Sequence, residues 1–452
     1  MSMTTERRIE KPCIVGLGKL GSPFAAALAC KGFEVTGVDV VESTIESLTR
    51  GCAPVFEPGL QDMLDRGRDR LHVTRNYAEA LERSDAAFII VPTPSEADGS
   101  FSLRYMLPAC EEIGKSLARM DRYFVVVITS TVLPGATGGT ILQVLEKASG
   151  KRCGHDFGLC YSPEFIALGS VIHNFLNPDF VLIGEQDERA GRVLEDFYKR
   201  ACENDPPVNR MSLVNAELTK ISLNAYVTTK ITFANQLARL CEHIPGADSD
   251  VITNALGLDS RIGRRYLRGA IGFGGPCFPR DNRAFMHVAQ GNQAVAPLAG
   301  AVDAVNSSQL DALYEIVTTY APRGGRVAIA GLSYKPDTDV TEESHAVGLA
   351  DRLVRQGYEV SVHDPQALRS ARVLLGERVR YCTSVEDAAR DCDVLVVATA
   401  WSVYRNLDPG VLGKRDTRIA VIDCWRILDE STWSEVALYR ALGRYLGPRQ
   451  EA

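Results

Sequence analysis

One cysteine stands in a setting suited to chemistry. It is Cys277, at the centre of the segment GFGGPCFPRD, residues 272–281. The three glycines would let a bulky substrate approach the main chain, and the two prolines limit backbone flexibility. We therefore predict an irregular segment that places the thiol accurately. Because Arg280 and Asp281 lie close by in sequence and a neighbouring cation favours the thiolate, the pattern indicates a nucleophile rather than a buried structural thiol.

A glycine loop near the start of the chain predicts a dinucleotide site. GLGKLG, residues 16–21, has GxGxxG spacing and lies between a predicted strand, Cys13–Val15, and a helix-like run. Its glycines allow a tight turn, close approach of a pyrophosphate and helix–strand packing. A second strand leads to Asp39, whose carboxylate suits the ribose 2′-hydroxyl of NAD and repels the 2′-phosphate of NADP. The predicted NAD-binding residues here are Gly16, Leu17, Gly18, Lys19, Leu20, Gly21 and Asp39.

A nucleophilic cysteine used together with NAD has a specific chemical meaning. An alcohol oxidised once gives an aldehyde, and thiolate attack gives a thiohemiacetal. Loss of a second hydride gives a thioester, which water converts to a carboxylic acid. One site could therefore carry out a four-electron oxidation with two successive NAD molecules.

A helical run supplies a second polar pair. Lys220 and Asn224 lie four positions apart, so a helix places both on one face. Their neighbours, such as Ile221 and Ala225, are apolar, so this face is not a simple solvated stripe. A lysine held near a reacting oxygen could stabilise developing negative charge.

These residues need three kinds of element to position them. Short β-rich runs alternate with amphipathic stretches up to about Asn209 and again from Arg326, which predicts βαβ units. The run from Ser212 to about His243 contains neither Gly nor Pro, which predicts one helix roughly 45 Å long that joins domains or forms a subunit interface. We predict an α/β protein with two Rossmann-like, doubly wound parallel sheets joined by a central helical segment. The predicted domains are residues 1–209, 210–310 and 311–452.

Composition excludes several classes of function. The chain has 452 residues, with 50 Lys and Arg against 57 Asp and Glu, a net charge of −7 that argues against nucleic-acid and anionic membrane partners. No apolar run approaches the roughly 18 residues of a membrane span, and the first residues lack a signal-peptide core, so we expect a cytoplasmic protein. None of the twelve cysteines forms a CxxC pair, so we expect no metal site and mostly reduced thiols.

The segments GFGGPCFPRD and AELTKISLNA together resemble the UDP-glucose/GDP-mannose dehydrogenase family. Its members oxidise the C6 hydroxyl of a nucleotide sugar to a carboxylate, and the resemblance covers essentially the whole chain. It implies an N-terminal NAD domain, a central helical dimerisation segment and a C-terminal domain that binds the nucleotide diphosphate. It also implies a homodimer or a higher homo-oligomer.

The resemblance implies roles for the residues of these two segments. Cys277 is similar to the family's thioester nucleophile. Lys220 and Asn224 are similar to residues that contact the sugar's reacting oxygens, with Lys220 stabilising anionic intermediates. Asp281 would position or activate the hydrolytic water, acting through Lys220.

Other motifs extend the resemblance. SPEF makes Glu164 an acid/base for thioester hydrolysis, STV makes Thr131 an orienting group for water near the nicotinamide, and RIG makes Arg261 a residue that reaches the neighbouring subunit's active site. VPTP and the segment around the nucleophile add Pro92, Thr93, Thr131, Cys277 and Arg280 to the cofactor-binding set. The implied substrate-binding residues are Glu164, Phe165, Lys220, Asn224, Arg261, Arg268, Phe273, Gly274, Tyr334 and Lys335.

Four positions depart from the family pattern. Thr44 replaces an Arg or Lys, Leu168 a Glu, and Phe180 and Glu342 each an Arg. Losing two expected cations near a diphosphate should weaken NAD binding unless other groups compensate, because an Arg–phosphate contact is a charge-assisted hydrogen bond.

The combined prediction is an NAD-dependent oxidation of a nucleotide-sugar C6 hydroxyl to a carboxylate, first of all UDP-glucose to UDP-glucuronate. The same chemistry on a UDP-N-acetylhexosamine, TDP-glucose or GDP-mannose stays open, as does a non-catalytic nucleotide-sugar-binding protein. A two-electron β-hydroxyacid dehydrogenase could share the Rossmann domain and the Lys/Asn pair, but it needs neither Cys277 nor a second Rossmann domain.

Overall fold

The computed structural model describes residues 8–413 and 418–447. The chain divides into two compact units, Met1–Ser222 and Leu223–Ala452, so the boundary falls inside the longest helix. The three-part division at residues 209 and 310 stays a prediction.

The first unit is an α/β sheet layered between helices. Its strands are β1 (Pro12–Val15), β2 (Val35–Val38), β3 (Leu71–Thr74), β4 (Ala86–Ile89), β5 (Phe124–Ile128), β6 (Phe157–Tyr161), β7 (Val181–Glu185) and β8 (Val208–Ser212). Its helices are α1 (Gly21–Cys30), α2 (Glu42–Thr49), α3 (Leu60–Gly67), α4 (Tyr77–Glu82), α5 (Met106–Leu117), α6 (Leu142–Ser149), α7 (Val171–Leu176), α8 (Glu188–Ala201) and the first residues of α9 (Leu213–Cys241).

The strand order of this sheet is β3-β2-β1-β4-β5-β6-β7-β8. All neighbours pair in parallel except β6 and β7, which are antiparallel, a departure from the wholly parallel sheet predicted. Because β7 runs back from the edge at which β6 ends, the connection over residues 162–180 starts and ends at the carboxyl edge of the sheet. This edge also carries the glycine loop after β1.

Alternating side chains of the central strands form one core on each face of the sheet. Ile14, Phe88 and Val125 belong to one core, whereas Cys13, Ile89 and Val126 belong to the other. This burial on both faces explains why β1, β4 and β5 read as continuous apolar runs. Strands β3, β6 and β8 were not predicted. LHVT and VNRMS mix polar with apolar residues, and a glycine interrupts the otherwise apolar FGLCY.

The second unit contains a smaller, wholly parallel sheet with the order β11-β10-β9-β12-β13-β14. Its strands are β9 (Arg326–Ala330), β10 (Glu359–His363), β11 (Arg380–Tyr381), β12 (Val394–Val397), β13 (Ala420–Asp423) and β14 (Leu438–Ala441). Its further helices are α10 (Ser249–Leu256), α11 (Phe278–Gly291), α12 (Pro297–Tyr320), α13 (His345–Arg355), α14 (Leu368–Leu375), α15 (Val385–Ala389), α16 (Ser402–Arg405) and α17 (Glu430–Val436). Apolar cores again form on both faces.

The predicted fold class is confirmed: two Rossmann-like sheets and a helical segment with one long helix. Helix α9 spans 29 residues, about 44 Å, and Ser212 ends β8 rather than opening the helix. Within the described ranges, no helix is long and apolar enough to cross a membrane.

Candidate active site

The glycine loop of the first unit lies between β1 and α1. Gly16 has a φ of +96°, and a β-carbon there would collide with the Ile90 carbonyl oxygen. A β-carbon at Gly21 would collide with the Gly16 carbonyl oxygen, whereas one at Gly18 would meet no atom within 4 Å. The first and third glycines therefore permit close packing inside the protein, and the second leaves room beside the start of α1 for a pyrophosphate.

Asp39 follows β2 and holds this loop in place. Its two carboxylate oxygens accept the Leu17 N–H at 2.6 Å and the Val41 N–H at 2.8 Å. The Leu17 side chain is buried in the core and its amide is bonded to Asp39, so Leu17 supports the loop from within. Lys19 and Leu20 are exposed beside Gly18.

Two neighbouring strand ends are tied together behind the loop. The Thr93 hydroxyl, after β4, donates to the Thr131 carbonyl at 2.7 Å, and the Ser130 hydroxyl donates to the Val91 carbonyl at 2.7 Å. Thr93 is buried, Thr131 is half-buried and Pro92 is exposed. The VPTP and STV segments thus form one bonded surface at the carboxyl edge of the sheet.

The loop after β6 carries a carboxyl group against a lysine. The Lys220 ammonium donates to the Glu164 carbonyl oxygen at 2.7 Å and lies 4.6 Å from the centre of the Phe165 ring. Burial raises the pKa of Glu164 to about 7, although a hydrogen bond from Tyr198 and the charge of Lys220 both lower it. A carboxyl group with this pKa can give and take a proton near neutral pH.

In the second unit, the predicted nucleophile Cys277 lies at the N-terminus of helix α11. Cys277 is exposed and is the N-cap residue of α11. The segment predicted to be irregular through Asp281 is therefore helical from Phe278 onward, because proline in the first turn is pre-organised for a helix and Asp281 suits the positive end. The positive end of the helix favours a thiolate at this position.

The glycines before Cys277 are packed against protein atoms. Gly275 has a φ of +84°, and a β-carbon there would lie 2.6 Å from the Tyr334 ring. A β-carbon at Gly274 would collide with the Glu343 carbonyl oxygen, and the Gly275 N–H donates to the Glu342 carbonyl at 2.9 Å. Gly274 and Gly275 therefore let the main chain pack closely against the segment 334–343. This corrects the expectation that these glycines make room for substrate, because their β-carbon positions face protein atoms instead.

A buried carboxylate supports the first turn of α11. Asp281 is fully buried, accepts the Asn224 side-chain amide at 2.6 Å and pairs with the Arg280 guanidinium at 3.0 Å. Its backbone N–H donates to the Cys277 carbonyl at 2.8 Å. Asn224 and Arg280 thus contact Asp281 directly and help to hold the turn that begins at Cys277.

The predicted substrate-binding residues of the second unit are either packed inside the unit, as Phe273 and Tyr334 are, or nearer its surface, as Arg261, Arg268 and Lys335 are. Phe273 is buried, with its N–H and carbonyl both bonded to the side chain of Asn306 at 2.7 and 2.9 Å, and Tyr334 packs against Gly275. Burial first, and then nearness to Cys277, raises the pKa of the Tyr334 hydroxyl. The side chain of Arg261 is 87% exposed and pairs with Asp259 at 2.5 Å. Arg268 donates to the Trp425 carbonyl oxygen and Lys335 is half-buried.

Comparison with known proteins identifies this arrangement. The NAD-binding domain of the UDP-glucose/GDP-mannose dehydrogenase family matches residues 10–202, its central domain residues 214–308 and its UDP-binding domain residues 328–430. The chain belongs to this family. Membership makes NAD the cofactor and nucleotide-sugar 6-dehydrogenation the chemistry, and the open Gly18 beside the start of α1 fits a dinucleotide.

Relatives in the family share nearly the full length of the chain. UDP-glucose 6-dehydrogenase AglM of Haloferax volcanii is 38% identical over 92% of this chain and 96% of that protein. GDP-mannose 6-dehydrogenase of Pseudomonas putida is 35% identical over 90% and 92%. The solved structure of a UDP-glucose dehydrogenase from Pyrobaculum islandicum, 33% identical, superposes with a TM-score of 0.88 over 98% of this chain and 100% of that one.

The four departures from the family pattern lie in different surroundings. Phe180 stacks on Phe165 with ring centres 4.7 Å apart, so an aromatic contact to the Glu164 loop stands where the family has a cation. Thr44 is half-buried in α2 and Leu168 is half-buried, whereas Glu342 is exposed and contributes its carbonyl to Gly275. Nothing in the structure explains Thr44 or Leu168.

Two buried glutamates were missed by sequence reasoning. Glu217 accepts the N–H groups of Gly135 and Thr137 at 2.6 and 2.8 Å. Glu57 accepts the N–H groups of Gly169 and Val171 at 2.9 and 2.7 Å. They anchor the segments that follow Thr131 and Glu164. Glu217 could have been found, because it lies one helical turn before Lys220 and between the apolar Ala216 and Leu218.

Proposed function

We propose that this enzyme oxidises UDP-glucose to UDP-glucuronate through a thiohemiacetal and a thioester on Cys277. The observation that carries the proposal is the exposed thiol at the start of α11, on a main chain held by Tyr334, Glu342 and Asp281. A relative named for UDP-glucose, 38% identical over 92% of this chain, supports the choice of sugar.

The proposed reaction converts one alcohol, two NAD and one water into a carboxylate, two NADH and three protons. When bound, NAD accepts a hydride in each of the two oxidations. The Cys277 sulfur forms a bond to the aldehyde carbon and is released when water cleaves the thioester. Among the proposed catalytic residues, only Cys277 forms and breaks a bond to the substrate carbon.

The other predicted residues manage charge and protons. Lys220, a buried ammonium, stabilises negative charge on the reacting oxygen, and Asn224 contacts the same part of the sugar. Glu164 takes up and releases the proton of the hydrolytic water, for which a pKa of about 7 is suited. Asp281 and Thr131 orient that water.

We further propose that the active form is a homodimer or a higher homo-oligomer. Tyr226, Phe233 and Leu240 recur every seven residues along α9 and are 64%, 52% and 56% exposed, an apolar stripe of the kind that a second copy of the same helix can cover. The exposed Arg261 would then serve the neighbouring subunit. Twelve cysteines that form no disulfide with one another suit a reducing cytoplasm.

The decisive experiment counts NADH formed for each nucleotide sugar consumed. We expect two NADH for each UDP-glucose consumed. We also expect kcat/KM to be higher for UDP-glucose than for GDP-mannose, TDP-glucose or UDP-N-acetylglucosamine. One NADH per sugar would contradict the thioester route, and binding without NADH would indicate a non-catalytic binding protein. Preference for GDP-mannose, the substrate named for a relative 35% identical, would overturn the sugar assignment alone.

Substitution of the nucleophile tests the route independently of the sugar. Cys277→Ser should abolish steady turnover, because a serine hydroxyl without a dedicated base is a poor nucleophile. Cys52→Ser, at another exposed cysteine, is the matched control and should keep wild-type turnover. Full activity of Cys277→Ser would exclude the thioester.

A further inference from the structure

A row of buried oxygen atoms extends from Glu164 into the first unit. The Tyr198 hydroxyl lies 3.2 Å from Glu164 Oε1, and the Ser162 hydroxyl lies 3.0 Å from the Tyr198 hydroxyl. The Ser162 hydroxyl is also 2.9 Å from the Leu182 carbonyl oxygen of β7. Ser162 and Tyr198 are 1% and 2% exposed, so water does not readily replace these contacts.

This row can satisfy both protonation states of the carboxyl group. When Glu164 is ionised, Tyr198 donates to it and Ser162 can donate to Tyr198. When Glu164 is protonated, its O–H can donate to Tyr198, Tyr198 to Ser162, and Ser162 to the Leu182 carbonyl. Only the hydroxyl hydrogens rotate, and no proton is transferred along the row. An acceptor that never donates, the carbonyl, ends the chain.

We propose that Tyr198 and Ser162 are positioning residues that form a reversible hydrogen-bond chain and let Glu164 change its protonation state during turnover without leaving a buried polar group unsatisfied. The inference rests on the proposed role of Glu164. Without such a chain, the protonated state of Glu164 would leave the buried Tyr198 hydroxyl without an acceptor, which costs free energy.

Other groups around Glu164 act on it differently. Lys220, from α9, contributes a positive charge and donates to the Glu164 main-chain carbonyl. Cys202 follows α8 and is buried. Burial raises the pKa of the Cys202 thiol, and the nearby Glu164 carboxylate raises it further. The Tyr198 and Ser162 hydroxyls can exchange donor and acceptor roles when Glu164 gains or loses a proton. We assign no such exchange to Lys220 or Cys202.

The test follows the protonation of Glu164 directly by infrared difference spectroscopy of the NAD-loaded enzyme, wild type against Glu164→Gln. The band of the protonated carboxyl group should be lost as pH rises through about 7. Tyr198→Phe removes a donor to the ionised form, so the midpoint should move up by about one pH unit. Ser162→Ala removes the acceptor that the protonated form needs, so the midpoint should move down. The pH profile of kcat should move in the same directions.

Tyr123→Phe is the matched control. It removes the hydroxyl of a half-buried tyrosine in the same unit, bonded to Asp187 at 3.2 Å, and should leave the midpoint unchanged. An unchanged midpoint in Tyr198→Phe, or equal shifts in all three variants, would overturn the chain. If the spectroscopic shifts occur but Glu164→Gln keeps the wild-type kcat profile, the chain stands and the proposed catalytic role of Glu164 falls.

Discussion

At the residue scale, buried carboxyl groups do two different jobs in this protein. Glu57 and Glu217 accept paired backbone N–H groups and hold loops. Asp281 binds two side chains and holds the first turn of α11. In contrast, Glu164 has a pKa raised to about 7 and a neighbouring hydroxyl that can reverse its hydrogen bond. The positions of the partners, rather than the residue type, separate the loop-holding carboxyl groups from the one that we propose to exchange protons.

The glycine beside the nucleophile allows a test at the same scale. Gly275→Ala should destabilise the protein by more than Gly357→Ala, although both glycines have a φ of +84°, because only at Gly275 does the β-carbon meet the Tyr334 ring. We expect about 1 kcal/mol for the control and roughly 1–3 kcal/mol more for Gly275→Ala, with at least a tenfold loss of kcat. Urea unfolding and steady-state rates measure both. Equal costs and equal rates in the two variants would refute the packing argument.

At the element scale, α9 carries the residues of two proposals along one helix. Its first turns carry Glu217, Lys220 and Asn224 on one inward face, each buried. Further along, Tyr226, Phe233 and Leu240 form an exposed apolar stripe. The proposed catalytic groups and the proposed association surface therefore lie on one continuous helix, and its length of 29 residues exceeds what the three buried polar residues alone require.

The stripe on α9 predicts the effect of a charge placed within it. Phe233→Glu should lower the particle mass seen by light scattering at micromolar concentration, to half for a dimer, because a carboxylate would be buried without a partner between two copies. Val373→Glu, on α14 and 85% exposed, should leave the mass unchanged. A wild-type monomer, or a Phe233→Glu variant with wild-type mass, would contradict the proposed interface.

At the scale of the whole molecule, the two sheets use the same connection for different purposes. Gly16 and Gly331 both donate to the carbonyl that ends the next strand, at 2.7 and 2.8 Å, and an aspartate then accepts the amide of the following leucine. In the second unit that aspartate, Asp364, is 2% exposed and also binds Ser333 and Trp401. The first unit has the half-exposed Asp39 and the open Gly18 instead.

This difference predicts that only the first aspartate sets coenzyme preference. Asp39→Asn should raise the KM for NAD by roughly tenfold and reduce discrimination against NADP, because a charged acceptor for the ribose is lost. Asp364→Asn should lower the melting temperature, since a buried and fully bonded carboxylate is changed, but keep the preference for NAD. The ratio of kcat/KM for NAD and NADP distinguishes these outcomes, and a changed ratio in Asp364→Asn would be the contrary result.

The sequence by itself determined the fold class, the NAD loop and the long helix, and it singled out Cys277 as the proposed nucleophile. These depend on local patterns: apolar runs of strand length, GxGxxG spacing, thirty residues without Gly or Pro, and a cysteine among glycines. The resemblance to the family added Glu164 and Asp281 to the predicted site residues, but it did not predict the side chains that contact them.

Only the tertiary structure decided what the glycines around Cys277 accommodate, that β7 runs antiparallel to β6, and which buried groups support the loops that follow Thr131 and Glu164. Tyr198 lies 34 residues from Glu164, and Glu217 lies 82 and 80 residues from the amides it accepts at Gly135 and Thr137. Such contacts form because the parallel strands bring distant segments to one edge of the sheet, and no local spacing in the chain encodes that meeting.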